Sequence, residues 1–89
     1  MKIKELIDLG FHINFVSAEE SGSNPYFYVG FEIGDMYILS EAIKMEFEEN
    51  EKKHFKKYLD NRVEVFIFDH DVALSEESVR ALINQKYKI

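Results

Sequence analysis

Asp69, His70 and Asp71 are the residues of this chain whose types and adjacency come nearest to a chemical site, two carboxylates flanking an imidazole. Such a set holds a cation or moves a proton only if its side chains converge. The run follows the apolar stretch "VEVFIF", which alternates as a strand does, and on extended backbone Asp69 and Asp71 point to one side and His70 to the other. His12 and His54 lack the spacings that usually announce zinc. The reading favoured by these spacings is a strand exit with turn-forming aspartates. A metal-dependent hydrolase would require a loop that draws the three together with further ligands, so neither a metal nor a cofactor is expected.

Other catalytic arrangements fare no better. Ser17, Ser21, Ser23, Ser40, Ser75 and Ser78 stand in no nucleophile-elbow context, and four scattered glycines form no phosphate-cradling loop. Glu19/Glu20, Glu48/Glu49 and Glu76/Glu77 are adjacent in sequence, but acid–base catalysis needs two carboxyls with different burial at a set separation. The expectation is a protein without enzymatic activity.

Charge points to a different kind of function. The 89 residues carry a net charge of −6. Residues 1–51 hold eleven acids against three lysines, net −8, and residues 52–89 hold six acids against eight bases, net +2. Phosphate neutralisation by Lys and Arg dominates nucleic-acid affinity, so the acidic half argues against a direct nucleic-acid ligand. A basic protein surface, one normally occupied by nucleic acid, is the natural partner. The patch "KKHFKK" (52–57) reads as a solvated helix face, because "EFEENE" on the same segment would repel phosphate. With no cysteine, no apolar run near the roughly 18 residues of a membrane span, and a charged "MKIKELIDL" start unlike a signal peptide, a cytoplasmic protein free of the membrane is expected.

These residues need elements to position them. Ile3, Leu6 and Ile7 recur at helical spacing and stop at Gly10. From Phe11 to Val16 the period switches to two, and "EESGSNP" (19–25) reads as a loop. "YFYVGFEI" alternates again, with Phe27, Val29, Phe31 and Ile33 opposite Tyr26, Tyr28, Gly30 and Glu32. Gly34-Asp35 fits a type II′ hairpin into "MYILS". Between residues 41 and 60, Ile43, Met45 and Phe47 alternate like a strand, yet Ile43, Phe47, His54, Phe55, Tyr58 and Leu59 also form a helical stripe with favourable Glu48–Lys52 and Glu49–Lys53 pairs. The spacing predicts a helix there. A strand over 62–69 and a helix capped by Ser75 with Val79, Leu82 and Ile83 as its stripe complete the chain. The expected fold is a single α+β domain, residues 1–89, in the order α-β-β-β-α-β-α, with helices on a largely antiparallel sheet.

The start "MKIKELI", the strand and serine-containing loop after it, and the hairpin "GDMYILSE" (34–41) resemble the first half of small acidic phage anti-CRISPR proteins that inhibit type II RNA-guided DNA nucleases. The matched positions are Ile3, Leu6, Ile7, Gly34, Tyr37, Ser40 and Glu41. The resemblance implies one helix, a three-stranded antiparallel sheet and further helices. It also implies a non-enzymatic inhibitor that occupies the nuclease's PAM-reading cleft in place of DNA. In that family the hairpin turn enters the cleft, which carries over Gly34 and Tyr37. Asp35 replaces a neutral polar residue of the family, and its part is inferred from charge, since arginines that read the PAM can engage carboxylates. Beyond Glu41 the two diverge, with a mixed-charge segment and a strong strand here.

The expected partner-binding residues are therefore Glu19 and Glu20 in the loop, Gly34, Asp35 and Tyr37 in the hairpin, and Glu46, Glu48 and Glu49 on the predicted helix. The alternative is a small structural or regulatory homodimer of a bacterium or phage, joined through the face that carries His12, Asn14, Tyr26, Tyr28 and Glu32.

Overall fold

The computed structural model describes residues 1–22, 24–45 and 55–87. Among them the chain folds as α1 (Ile3–Asp8), β1 (His12–Val16), α2 (Ala18–Ser21), β2 (Tyr26–Ile33), β3 (Met36–Ser40), β4 (Ile43–Lys44), a 3-10 turn (Phe55–Tyr58), β5 (Val65–Ile67), β6 (Ala73–Leu74) and α3 (Glu76–Tyr87). This is a mixed α+β fold. The six described strands form one antiparallel sheet in the order β1-β2-β3-β5-β6, with β4 also paired to β2.

Alternation decides the faces. Phe27, Val29 and Phe31 of β2, with Phe11 beside them and Ile38 and Val65 on neighbouring strands, are buried on one side. Ile3 and Leu6 of α1 and Val79 and Ile83 of α3 complete the same cluster, so both helices cover this face. Aromatic rings make much of the contact: Phe11 and Phe31 lie 5.4 Å apart, and Phe27 lies 6.0 Å from Phe15 and 5.7 Å from Tyr58. Burial of each large apolar side chain contributes about 1.5–3 kcal/mol.

Helix ends are satisfied locally. The Lys2 N–H donates to the Glu5 carboxylate at 3.0 Å, while the amides of Ile3 and Lys4, which no helical carbonyl can reach, donate to Asn61 and Leu59 at 3.0 Å. The hydrogen bond from the Lys2 N–H holds the Glu5 carboxyl below its ordinary value; partial loss of water opposes this and Arg80 adds to it. At α3 the Ser75 hydroxyl accepts from the Ser78 N–H at 3.1 Å, the cap expected from sequence. The hairpin also forms as expected, with Ile33 opposite Met36 and Gly34 alone in the turn at positive φ, +59°.

Two expectations are corrected. Residues 19–25 are not all loop: Ser17 accepts from the Glu20 N–H at 3.2 Å and caps α2. More consequential is the segment after β3. The helix predicted from about Glu41 to Asp60 does not begin there: Ile43–Lys44 is strand and Phe55–Tyr58 is a 3-10 turn, while residues 46–54 lie outside the described residues, and with α2, β4 and β6 added the element order differs from the one expected. The reason is the length of β2. After the hairpin its second half pairs with β3, leaving Tyr26 and Phe27 to be matched, and the returning chain does so with Lys44 and Ile43. Between the pairs Gly30–Leu39 and Phe27–Ile43, β2 contributes Tyr28 and Val29, whereas the other side contributes Ser40, Glu41 and Ala42. The extra residue makes a bulge.

Ser40 is what the bulge turns on. Its buried hydroxyl accepts from the Val29 N–H at 3.1 Å and donates to the Glu41 carbonyl at 3.1 Å. Glu41 meanwhile turns to β5: its N–H donates to the Glu64 carbonyl, and its carboxylate accepts from the Glu64 N–H, both at 3.0 Å. Ser40→Ala should destabilise the fold by about 1–3 kcal/mol, the cost of a buried amide left without an acceptor. Urea denaturation measures it, and a loss below about 0.5 kcal/mol, the range of a neutral surface change, would mean that Ser40 does not hold the bulge.

Candidate functional site

Pairing of β3 with β5 determines which distant residues become neighbours. Ile38 faces Ile67 and Leu39 faces Phe66, antiparallel, so the end of β5 lies beside the start of β3 and hence beside the hairpin turn. The Phe68 N–H continues the ladder by donating to the Tyr37 carbonyl at 2.8 Å. Immediately afterwards the chain reverses: the His70 N–H donates to the Ile67 carbonyl at 2.9 Å, and Asp69 takes φ +69°. A positive φ at the third residue alone is the signature of a type II turn, and aspartate tolerates it better than most side chains.

The Asp-His-Asp run is thus a turn, and it stands against the Gly34-Asp35 turn. Between them lies an open depression of about 500 Å³ lined by Ile33, Asp35, Met36, Phe68, Asp69 and His70. Apolar Ile33, Met36, Ile67 and Phe68 line it together with the carboxylates of Asp35 and Asp69. Phe68 is 57% exposed and Val72 78% exposed, the large hydrophobic side chains most open to water among the described residues. An apolar anchor ringed by polar groups is the anatomy of a protein-binding surface. Asp35, Asp69 and Asp71 are all exposed. Among the described residues the ion pairs engage Glu5, Asp60 and Glu76, through Arg80 and Lys4, and none engages these three aspartates.

The other expected site residues are placed differently. Gly34 and Tyr37 belong to this end of the sheet, but exposed Glu19 and Glu20 sit on α2, between β1 and β2, at the opposite end of β2. Eight residues of strand separate the two ends by about 23 Å at roughly 3.3 Å per residue. Glu46, Glu48 and Glu49 lie outside the described residues. The structure therefore gathers Asp35 and Tyr37 with Asp69 and His70 rather than with Glu19 and Glu20. Phe68 and Val72 were missed in the sequence as surface residues, because Phe68 follows the alternation of the strand before it. Among the described residues no three His, Cys, Asp or Glu side chains are grouped closely enough to hold a metal ion.

Behind the hairpin, the second face of the sheet carries His12, Asn14, Tyr26, Tyr28, Glu32 and Tyr37, and neither α1 nor α3 covers it. Tyr37 lies flat across Gly30, where a Cβ would collide with its ring and hydroxyl. The missing side chain lets the ring cross the strand, and its hydroxyl reaches Asn14 and Tyr28. Gly10, His12, Asn14, Glu32 and Tyr37 border a second depression of about 540 Å³ on this face. Burial pushes the Tyr37 phenol above its ordinary value and the Tyr28 hydroxyl adds to the effect, while the hydrogen bond with Asn14 opposes it.

Comparison with protein-family models, with curated proteins and with solved structures finds no match to this chain. No described helix is long and apolar enough to cross a membrane.

A raised phenol favours the neutral form in the folded state, so its contribution is complete below the ordinary tyrosine value and is lost as pH rises through the higher folded value. Denaturation midpoints measured across that alkaline range should fall for the wild type, and Tyr37→Phe should remove part of the fall. An unchanged profile in the variant would place the hydroxyl in open water.

Proposed function

We propose that this chain is a non-enzymatic, acidic binding protein that occupies a basic surface on a nucleic-acid-binding partner. The N-terminal resemblance suggests the PAM-reading cleft of a type II CRISPR nuclease as that surface. The observation that carries the reading is the pair of adjacent turns, with Asp35 and Asp69 exposed beside the exposed ring of Phe68. Arginines arranged to read base edges have donors in a fixed fork, and carboxylates at the tip of a rigid hairpin can accept from them as nucleobases do. The apolar side chains between the carboxylates supply what electrostatics alone does not, a desolvated centre that slows dissociation. The hairpin itself is stiff, because β3 is bonded on both edges, to β2 and to β5.

Such a protein works by occupancy. It needs no cofactor and acts in the compartment of its target, the cytoplasm of a host cell if the gene is carried by a phage. Its net negative charge speeds encounter with a basic cleft and repels competing nucleic acid.

DNA cleavage by a guide-loaded type II nuclease is the direct assay. The wild-type chain should inhibit it, and the double variant Asp35→Lys/Asp69→Asn should weaken inhibition at least about tenfold, within the range for charges at a desolvated interface. Glu19→Lys/Glu20→Lys should change it far less. Equal losses in both variants would point to general charge rather than to the paired turns, and no inhibition by the wild type would remove this target.

A further inference from the structure

We infer that a proton on His70 competes with the partner's cationic side chains for the depression between the two turns, so that the site binds a basic partner at neutral pH and loses affinity as the imidazole becomes charged. The inference rests on the reading of this surface as one that receives a basic partner, and adds the condition under which it does so. His70 lines the depression together with Asp35 and Asp69, and all three are exposed. The titratable groups come from three places in the fold. The β2–β3 turn supplies Asp35, β3 supplies Tyr37, and the turn after β5 supplies Asp69 and His70, with exposed Asp71 next in the chain. Among the described residues no lysine or arginine forms an ion pair with these carboxylates.

Of these side-chain types, imidazole is the one that ordinarily changes charge between about pH 5 and 8. Burial holds the Tyr37 phenol above its ordinary value, so it stays neutral over that range. Proton uptake at His70 therefore places a positive charge in the same depression as Asp35 and Asp69, where an incoming ammonium or guanidinium would sit. Like charges there repel, so proton and cation weaken each other's binding by the same factor. The apolar lining of Ile33, Met36, Ile67 and Phe68 keeps the local dielectric below that of open water, which strengthens the repulsion.

The turn itself does not depend on the imidazole. What His70 contributes to it is the backbone N–H, which donates to the Ile67 carbonyl at 2.9 Å. The residue at positive φ is Asp69, at +69°, so a substitution at position 70 leaves the left-handed position untouched. The ring can gain or lose a proton, or be replaced, with the turn intact. His12 stands elsewhere, on β1 at the second depression, and His54 lies outside the described residues. Position in the fold thus assigns the proton to His70.

Titration of the full chain with a tetra-arginine peptide, followed through the backbone amide NMR shifts of Asp35 and His70, tests this, because arginine keeps its charge throughout. At constant ionic strength the wild-type dissociation constant should rise at least about threefold from about pH 7.5 to about pH 5.5. His70→Gln, neutral at both, should bind at the lower pH as the wild type binds at the higher. An equal constant at the two pH values in the wild type overturns the inference. So does a loss that persists in His70→Gln, or a peptide that moves neither amide. Nuclease inhibition by the same protein at the higher pH separates this inference from the reading it rests on. Inhibition without pH-dependent peptide affinity overturns the proton competition alone, and His70-dependent peptide binding without inhibition removes the nuclease alone.

Discussion

The structure depends on β3 being bonded on both of its edges. One edge completes the hairpin with β2, and the other takes up β5 from a part of the chain some thirty residues away. Interior antiparallel strands are fixed in register because a slip of one residue would send Ile38 to the open face and Tyr37 into the core. That register in turn puts Phe68 beside Tyr37 and the Asp-His-Asp turn beside Gly34-Asp35. The candidate site is therefore a consequence of strand pairing, and neither turn would form it alone.

Ser40 lets the chain that leaves β3 serve both β5 and β2. Its hydroxyl stands in for the backbone acceptor that the bulge removes from Val29, which frees Glu41 to follow β5 while Ile43–Lys44 returns to β2. A buried polar side chain is usually costly; here it is the least costly way to let one path split between two strands. The same logic applies at Gly30, where a missing side chain is filled by Tyr37 from the next strand. Both devices shape the face that the helices leave open.

Much of this was legible in the sequence. Period-two alternation identified β1, β2 and β3 and the buried face of β2; Gly34 announced its turn; Ser75 announced α3. These signals are local and survive folding unchanged. The Ser17-x-x-Glu20 spacing was also present as a capping signature and marks α2. What could not be read was the choice between two periods at Ile43–Lys44, because it was settled by the unpaired half of β2, a partner remote from any local window. The gathering of Asp35 with Asp69 was hidden for the same reason. The charge map by halves assigned those aspartates to different parts of the chain, and only the β3–β5 ladder shows that they share a surface.

The central claim is that this two-turn surface is where a basic partner binds. Hydrogen–deuterium exchange of the chain alone and in complex with a guide-loaded type II nuclease tests it most directly, because it maps contact without altering a residue. The account predicts slowed exchange in residues 33–37 together with residues 67–72, and little change around Glu19 and Glu20. Protection confined to residues 17–22, or none anywhere under conditions that saturate a control inhibitor, would contradict it.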